Sequence, residues 1–312
     1  MDMLSNDECQ FCYDKVIFRC LPCKVALCKD CVAVHIKMSS TNSHKIVLSE
    51  EAKEEKRRQL VKKDTLPSGF ENTCDVSYQD MGLFYICSEQ SKMIKQFDLS
   101  GKEVDSFQVT RSPLCITSCS NGVLYTEFGI KAVMFYIKGR IKHLFSTGEW
   151  QPQGVNTTKS GHILLTLRRN KEAKLVTLSQ HGQVFSEIQH HNREPLYCDP
   201  WYVVESPKGH LCVSDQGKSA IICVSSDGEL VFHYYGRDNS FYPRGLCSDA
   251  TSHFIVADPW NNKIHYISSY GEFICYLEYE SMDSPISISS VADKTNYFII
   301  CEIGGFIYGV EM

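Results

Sequence analysis

A tight glycine turn recurs along most of the chain at a nearly constant spacing, and this period limits the possible folds more than any other feature. The turn glycines are Gly101, Gly139, Gly182, Gly228 and Gly271, spaced 38, 43, 46 and 43 residues apart. A short apolar segment ending on a polar residue lies 12 to 14 residues before each glycine. A period of this length indicates a repeat architecture in which each repeat is one supersecondary unit. The polar residues are Glu89, Glu127, Arg168, Asp215 and Asp258, and a sixth copy of the segment, Tyr297–Glu302, ends 44 residues after Asp258.

Each repeat has room for four short strands, three before the turn glycine and one after it. Six such sheets arranged radially form a six-bladed β-propeller, so the sequence predicts a mainly β fold. The sixth repeat reaches Met312 before its outer strand. We therefore expect Leu60–Pro67 to supply that strand and to join the first blade to the last. Asp215 and Asp258 are interpreted as caps that accept hydrogen bonds from backbone amides of a turn.

The N-terminal residues carry a different pattern, in which cysteines and histidines follow one another at metal-ligand spacing. Structural zinc takes four sulfur or nitrogen ligands in a tetrahedron, so eight such residues complete two sites and leave no position open for catalysis. The run Cys28–His35 suits a short helix, which would place Cys31 and His35 on one face. The eight candidate ligands are Cys9, Cys12, Cys20, Cys23, Cys28, Cys31, His35 and His44.

This spacing resembles the first variant of the B-box zinc finger of the tripartite-motif (TRIM) family, and Ser43–Leu48 is similar to the end of that module. The family uses a cross-brace, in which alternate ligand pairs share an ion. The resemblance therefore implies two structural Zn²⁺ ions. The first would be held by Cys9, Cys12, Cys28 and Cys31, and the second by Cys20, Cys23, His35 and His44.

The fifth repeat, from Tyr242 through Asp258 to Gly271, closely resembles the NHL repeat, and the fourth is nearly as similar. The chain thus resembles a reduced member of the TRIM group that carries an NHL-like propeller. We divide it into a B-box zinc finger at residues 5–48, a short helical linker at 49–66 and a six-bladed NHL-like propeller at 67–312. The linker has no sustained heptad pattern, so dimerisation through the family's coiled coil is doubtful.

Charge and cysteine usage indicate a cytoplasmic protein. Neither a signal peptide nor a membrane-spanning segment is expected, and clustered cysteines in a reducing compartment are more often metal ligands than disulfides. The other ten cysteines, from Cys74 to Cys301, alternate with aliphatic residues and are interpreted as small apolar side chains on buried strands. His190 and His191 are interpreted as a solvated pair on a loop.

The resulting hypothesis is a zinc-binding adaptor whose propeller recognises a protein partner. Loops on a rigid scaffold commonly carry binding residues, and aromatic and arginine side chains are enriched in binding hot spots. The candidates lie on the connections that lead into the innermost strands: Trp150, Tyr197, Trp201, Arg237, Tyr242, Arg244 and Trp260.

Three alternatives remain. Ubiquitin ligation is implied by the resemblance, although the ligase activity of the family resides in a RING finger and none is seen before Cys9. RNA binding occurs in some NHL propellers, but the net charge of −5 for the chain disfavours it. A propeller hydrolase or lyase would need metal ligands on the innermost strands, where the sequence offers only Asp75, Glu205 and Asp249. We therefore expect no enzyme.

Overall fold

The computed structural model describes residues 18–20, 25–28, 31–32, 35, 46–48, 57–119, 121–237 and 240–312. The chain divides into two compact units, Met1–Lys56 and Arg57–Met312. In the first unit, strand β1 (Phe18–Cys20) pairs antiparallel with β2 (Val25–Leu27) on one side and β3 (Ile46–Leu48) on the other. Cys31, Val32 and His35 are helical, in agreement with the helix predicted for this run.

Two strands open the second unit: β4 (Arg57–Gln59) and β5 (Val61–Pro67). The remaining strands form successive antiparallel meanders of up to four strands. The first three blades are β6–β9 (Asp75–Gln79, Leu83–Ser88, Met93–Asp98, Glu103–Gln108), β10–β13 (Pro113–Cys119, Gly122–Glu127, Ala132–Ile137, Arg140–Ser146) and β14–β17 (Gln151–Thr157, Ile163–Arg169, Glu172–Leu178, Val184–Ile188).

A short hairpin of β18 (His190–His191) and β19 (Glu194–Pro195) precedes the fourth blade, so these histidines lie on a hairpin and not on the predicted loop. The 3₁₀ helix η1 (Pro259–Asn261) lies in the fifth blade. The last three blades are β20–β23 (Pro200–Glu205, Leu211–Asp215, Ala220–Val224, Leu230–Tyr234), β24–β27 (Leu246–Ser248, Phe254–Asp258, Lys263–Ile267, Phe273–Glu278) and β28–β30 (Pro285–Ser290, Tyr297–Glu302, Phe306–Glu311), the last completed by β5.

The first strands of the six blades contact one another in a closed ring, from β6 through β10, β14, β20, β24 and β28 back to β6. They are therefore the innermost strands, as predicted, and the fold is a six-bladed β-propeller. The second strands are almost entirely buried, whereas an outermost strand such as β13 is mostly exposed. This gradient explains why the apolar segments that end on polar residues gave the clearest repeat signal in the sequence.

The predicted closing strand is confirmed. β5 pairs antiparallel with β30, with Leu66 opposite Ile307, and so completes the last blade. Leu66 is buried in a cluster that also holds Phe84 of the first blade and Ile299 of the sixth. The ring is thus closed by a segment from the N-terminal side of the propeller, which gives the sixth blade its fourth, outermost strand.

The predicted helical linker is wrong over residues 57–66, and residues 49–56 lie outside the described part of the chain. Residues 57–59 form β4, which pairs in parallel with β27 and extends the fifth blade. Leu60 is buried against Leu277 and Val310. Edge pairing and burial of Leu60 and Leu66 outweigh the helical propensity of the charged residues around them, because propensity is a weak local preference.

The thiols of the propeller are mostly buried, as predicted, with two exceptions. Cys198 is exposed, and the structure joins Cys212 to Cys223, opposite each other on β21 and β22, by a disulfide. A cross-strand pair of this kind could not be foreseen from alternation with aliphatic residues, because it depends on which strands become neighbours. Within the described ranges, no helix combines the length and the apolar character that crossing a membrane would need.

Two turn glycines provide a matched test of blade packing. Gly271 and Gly139 both have positive φ, 81° and 75°. A Cβ at Gly271 would collide with the ring of Phe232, whereas a Cβ at Gly139 would meet open space. We expect Gly139→Ala to lower the free energy of unfolding by about 1 kcal/mol through the backbone alone. Gly271→Ala should cost about 1–3 kcal/mol more by overpacking. Urea denaturation of both variants measures the difference, and equal losses would show that the blades do not pack here as described.

Candidate functional site

One end of the propeller gathers the connections between blades and the turns from each second strand to its third. We call this end the junction face and define it by residues 109–112, 128–131, 147–150, 195–199, 235–237, 240–245 and 258–262. This grouping of connections and turns follows from the strand order, since every innermost strand starts at this end and every second strand ends there. The predicted partner-binding residues lie on or directly beside these connections.

The strand-end acids hold these connections in place. Glu127 accepts a hydrogen bond from the backbone amide of Arg111, and Glu302 accepts one from the amide of Asp283. Asp215 accepts bonds from the amides of Cys198 and Asp199 at 2.7 and 3.0 Å. The predicted capping role is therefore confirmed for Asp215.

Within the described ranges Asp258 accepts no hydrogen bond from a backbone amide, so that interpretation is wrong. Its Oδ2 accepts a bond from the side chain of Asn261 at 2.7 Å and lies 3.4 Å from Nε2 of His265. The amide of Arg244, in the connection that Asp258 would cap, already donates to the carbonyl of Ala257. The backbone pairing of the fifth blade thus takes the place of the carboxylate.

Trp260 and Tyr242 form an exposed aromatic stack. Their ring centres lie 4.1 Å apart and their planes are inclined by 7°. The Tyr242 hydroxyl donates to Oε1 of Gln216 at 2.9 Å, and this bond fixes the tyrosine ring. Trp260 is carried on η1 and is 73% exposed. An indole of this exposure on a fixed support offers a large apolar surface to a partner.

Arg244 lies next to this stack along the chain, at the start of an innermost strand. Its guanidinium carbon lies 4.6 Å from the ring centre of Trp201 and 5.8 Å from that of Tyr202. Trp201 donates from Nε1 to Asp199 at 3.2 Å, and the Tyr202 hydroxyl donates across the channel to the carbonyl of Cys74 at 2.8 Å. Both rings are therefore held by bonds of their own, and they form a rigid bed for the guanidinium.

Burial raises the pKa of Tyr202 well above its usual value, and the nearby charge of Asp75 raises it further, while the positive charge of Arg244 opposes both. The phenol therefore stays protonated at neutral pH and keeps donating to Cys74. Since Cys74 belongs to the first blade and Tyr202 to the fourth, this bond crosses the central channel near the junction face.

The other predicted residues are placed less centrally. Tyr197 is 1% exposed and packs between the third and fourth blades. It therefore cannot touch a partner, and we exclude it from the candidate site. Trp150 lies between the cations of Arg169 and Lys174, at 4.6 and 4.5 Å. Arg237 is exposed, and its guanidinium lies 4.9 Å from the ring centre of Phe273 on an outer strand, so it stands at the rim.

Three cations on the strands that adjoin the junction face are paired with carboxylates. Arg168 pairs with Asp199 at 2.8 Å. Arg169 pairs with Glu172 at 2.7 Å and with Glu149 at 3.2 Å, and Lys174 pairs with Glu187 at 2.8 Å. The face therefore combines exposed aromatic surface with little net positive charge. That composition is typical of protein interfaces and not of phosphate-backbone binding.

The central channel has acids, but they are occupied by structural hydrogen bonds. Asp75 accepts bonds from the amides of Val76 and Ile116 and from the hydroxyl of Ser287. Glu205 accepts one from the amide of Lys159. Asp249 accepts bonds from the amide of Thr251 and the hydroxyl of Tyr266, among others. Each carboxylate thus has a role in holding strands or turns together.

Two cavities open toward the opposite end of the propeller. One, of about 530 Å³, is the channel itself. The other, of about 640 Å³, is a cleft whose apolar wall includes Leu124, Phe135 and Ile163 of the second and third blades. Neither coincides with the junction face, and sequence reasoning did not identify either, because a cleft between blades is formed by residues far apart along the chain.

Half of the predicted zinc ligands can be placed. Cys20 and Cys28 are buried, and the backbone amide of Cys31 donates to Sγ of Cys28 at 3.4 Å. Amide donation to a cysteine sulfur stabilises a thiolate, the form that binds metal. Among the described residues no group of three or more candidate ligands is assembled. Cys9, Cys12, Cys23 and His44 lie outside the described residues.

Comparison with known proteins supports the propeller fold. No family model and no curated protein matches the chain. Among solved structures, it is similar to a catalytically inactive virginiamycin B lyase from Staphylococcus aureus bound to quinupristin, with a TM-score of 0.60 and 15% identity, over 80% of this chain and 98% of the other.

Two further structures show the same likeness. For a luciferin-regenerating enzyme the TM-score is 0.65 at 10% identity, covering 80% of this chain and 95% of the enzyme. For the β-propeller domain of Cps50 (Swd1) from Myceliophteria thermophila it is 0.58 at 12% identity, covering 77% and 84%. Two of the three are enzymes by name, but at these identities the likeness establishes the fold alone.

Proposed function

We propose that this chain is a non-catalytic adaptor of the TRIM-NHL type, whose propeller binds a protein partner through the junction face. The observation that carries the proposal is the exposed Trp260 ring stacked on Tyr242, two residues along the chain from Arg244. Aromatic and arginine side chains held rigidly lose little conformational entropy on binding, so they supply much of the affinity of protein interfaces.

RNA binding is the alternative that the aromatic stack also suggests, since bases stack on exposed rings. The ion pairs of Arg168, Arg169 and Lys174 weigh against it, because phosphate binding needs several cations that are free to release counterions. Ubiquitin ligation remains a proposal from family resemblance and has no support in the geometry of the propeller.

Affinity purification with the full chain tests the proposed face. We expect the double variant Tyr242→Ala and Trp260→Ala to recover its partner at least about tenfold less than the native chain. The matched control is Ile141→Ala with Phe185→Ala, two exposed apolar residues on outer strands toward the opposite end. Binding of the purified partner should repeat this order. A loss in the control pair and none in the junction-face pair would assign binding to the other end.

We further propose that the first unit holds two structural zinc ions in a cross-brace, with Cys20 and His35 at one ion and Cys28 and Cys31 at the other. Their thiolate and imidazole donors fit zinc, which would supply the stability that a core of this size cannot. The cation has no role in catalysis in this proposal, since all four positions would be taken by side chains.

Metal analysis of the purified full chain tests the zinc proposal. We expect about two zinc ions per native chain and about one in either Cys20→Ser or Cys28→Ser, because each substitution removes a ligand from a different ion. The propeller should unfold as in the native chain. Cys198→Ser, which changes an exposed propeller thiol, is the control and should retain both ions. Fewer than two ions in the native chain would contradict the cross-brace.

A further inference from the structure

Arg244 differs from the three paired cations that adjoin the junction face. Arg168, Arg169 and Lys174 each lie within ion-pair distance of a carboxylate. Throughout the part of the chain that the structure describes, the Arg244 guanidinium forms neither an ion pair nor a hydrogen bond, and its Nε is buried without a partner. The guanidinium lies over the two aromatic rings of Trp201 and Tyr202.

The carboxylate that holds the aromatic bed under Arg244 already has partners of its own. Asp199, which holds the indole of Trp201, accepts bonds at Oδ1 from Arg168 at 2.8 Å and from Gln153 at 3.2 Å. Its Oδ2 accepts the Trp201 indole N–H at 3.2 Å. Three of the acceptor positions of the Asp199 carboxylate are thus taken by bonds to other residues.

A half-buried guanidinium with unused donors is costly unless something binds to it. Its planar fork suits a carboxylate, which can accept two parallel N–H bonds. The rings of Trp201 and Tyr202 fix the plane of the fork before binding, so little conformational entropy remains to be lost. Tyr242 lies two residues before Arg244, so the exposed stack with Trp260 adjoins the same position along the chain.

From this geometry we infer that Arg244 is a carboxylate-recognition site, and that the partner of the junction face presents an acidic side chain or a free C-terminus there, with an apolar side chain beside it for the Tyr242–Trp260 stack. This inference rests on the proposed function and specifies the chemistry of the partner. A peptide carboxylate fits the single planar fork of Arg244, whereas binding along a nucleic-acid phosphate chain needs several clustered cations.

The probe is a library of short random peptides, selected on the immobilised full chain. We expect the selected peptides to be enriched in Asp, Glu or a required free carboxyl terminus, next to an aromatic or aliphatic residue. Arg244→Gln should weaken the best peptide by about tenfold or more, and Arg244→Lys, which keeps the charge but not the fork, by less. Arg140→Gln, at an exposed position on an outer strand, is the control and should change nothing.

A double-variant comparison separates recognition from folding. Replacing the acidic residue of the peptide by its amide should weaken binding to the native chain by the same factor, and should weaken binding to Arg244→Gln no further. Thermal unfolding verifies that the variants are folded. If Arg244→Gln is unfolded, Arg244→Lys and the peptide substitution still decide the question, and an unchanged affinity in both would overturn the inference.

The remaining outcomes distinguish the inference from the function on which it rests. Peptides that need Tyr242 and Trp260 but carry no carboxylate, or that ignore Arg244, would overturn the carboxylate site and leave the binding face standing. Binding of a short oligouridine RNA that depends on Arg244, with no peptide selected, would overturn both in favour of nucleic acid. Selection of nothing by either probe would also overturn both.

Discussion

Leu66→Asp should lower the free energy of unfolding of the propeller by about 3–5 kcal/mol, the range for losing a large core side chain. Leu66 is 5% exposed and packs between the sixth blade and the first. A carboxylate there would be buried without a partner and would pull β5 away from β30. Because β5 closes the ring, we expect the whole propeller to unfold in one transition at lower urea concentration.

Thr65→Asp is the matched control for this prediction. Thr65 is the neighbouring residue on the same strand, and it is exposed. The same charge at this position should change the free energy of unfolding by less than about 1 kcal/mol. Urea denaturation followed by circular dichroism measures both variants. Equal small effects would contradict closure of the ring by β5.

Asp75 should make the stability of the propeller fall as the pH rises from about 4 to about 7. Its carboxylate joins three blades through Val76, Ile116 and Ser287. Burial nevertheless outweighs these bonds and raises the pKa of Asp75 from 3.8 to about 6. Because the folded state then binds the proton more tightly than the unfolded state, ionisation destabilises the fold. A shift of this size corresponds to about 3 kcal/mol.

The comparison that isolates this effect is the native chain against Asp75→Asn across the same pH range. The amide of the variant does not titrate, and its NH₂ group faces a hydrogen-bond donor in either orientation. We therefore expect the free energy of unfolding of Asp75→Asn to be about 2–4 kcal/mol lower than that of the native chain below pH 5. That deficit should shrink as the pH rises through 6. A deficit that is constant or grows with pH would contradict the raised pKa.

Asp98 provides a control of opposite sign. It is exposed, and bonds from Ser100 and Lys102 lower its pKa below the usual value. Any stability it contributes is therefore present at neutral pH and lost as the pH falls, so the difference between the native chain and Asp98→Asn should change in the reverse direction. Measuring both variants in the same buffers removes the general effect of acid on the fold.

The ring architecture could be predicted from the sequence because each blade corresponds to one repeat of nearly constant length. Buried second strands such as β11 and β29 are mostly apolar and end on a glutamate, and the turn glycines mark their spacing. The need to complete the sixth blade then predicted the closing strand. By contrast, β4 was missed, because three exposed polar residues carry no signal for an added parallel strand.

The site could be predicted only by residue type. The aromatic and arginine candidates were predicted on the connections before the innermost strands, but Trp201 lies within β20 and Trp260 lies on η1, after a second strand. The burial of Tyr197 and the contact of Asp258 with His265 depend on neighbours from other strands. For the same reason, the sequence could not predict that the Arg244 guanidinium has no carboxylate partner among the described residues. Whether an arginine has a carboxylate partner depends on contacts between blades, and those join residues about 40 or more positions apart in a repeat of this length.

Site-specific photo-crosslinking in cells tests the junction face most directly. A photoreactive phenylalanine analogue is placed in the full chain at Tyr242 or Trp260, and separately at Ile141 or Phe185 toward the opposite end. We expect discrete protein adducts from the first pair of positions and none from the second. Adducts from Ile141 or Phe185 alone would contradict partner binding by the junction face.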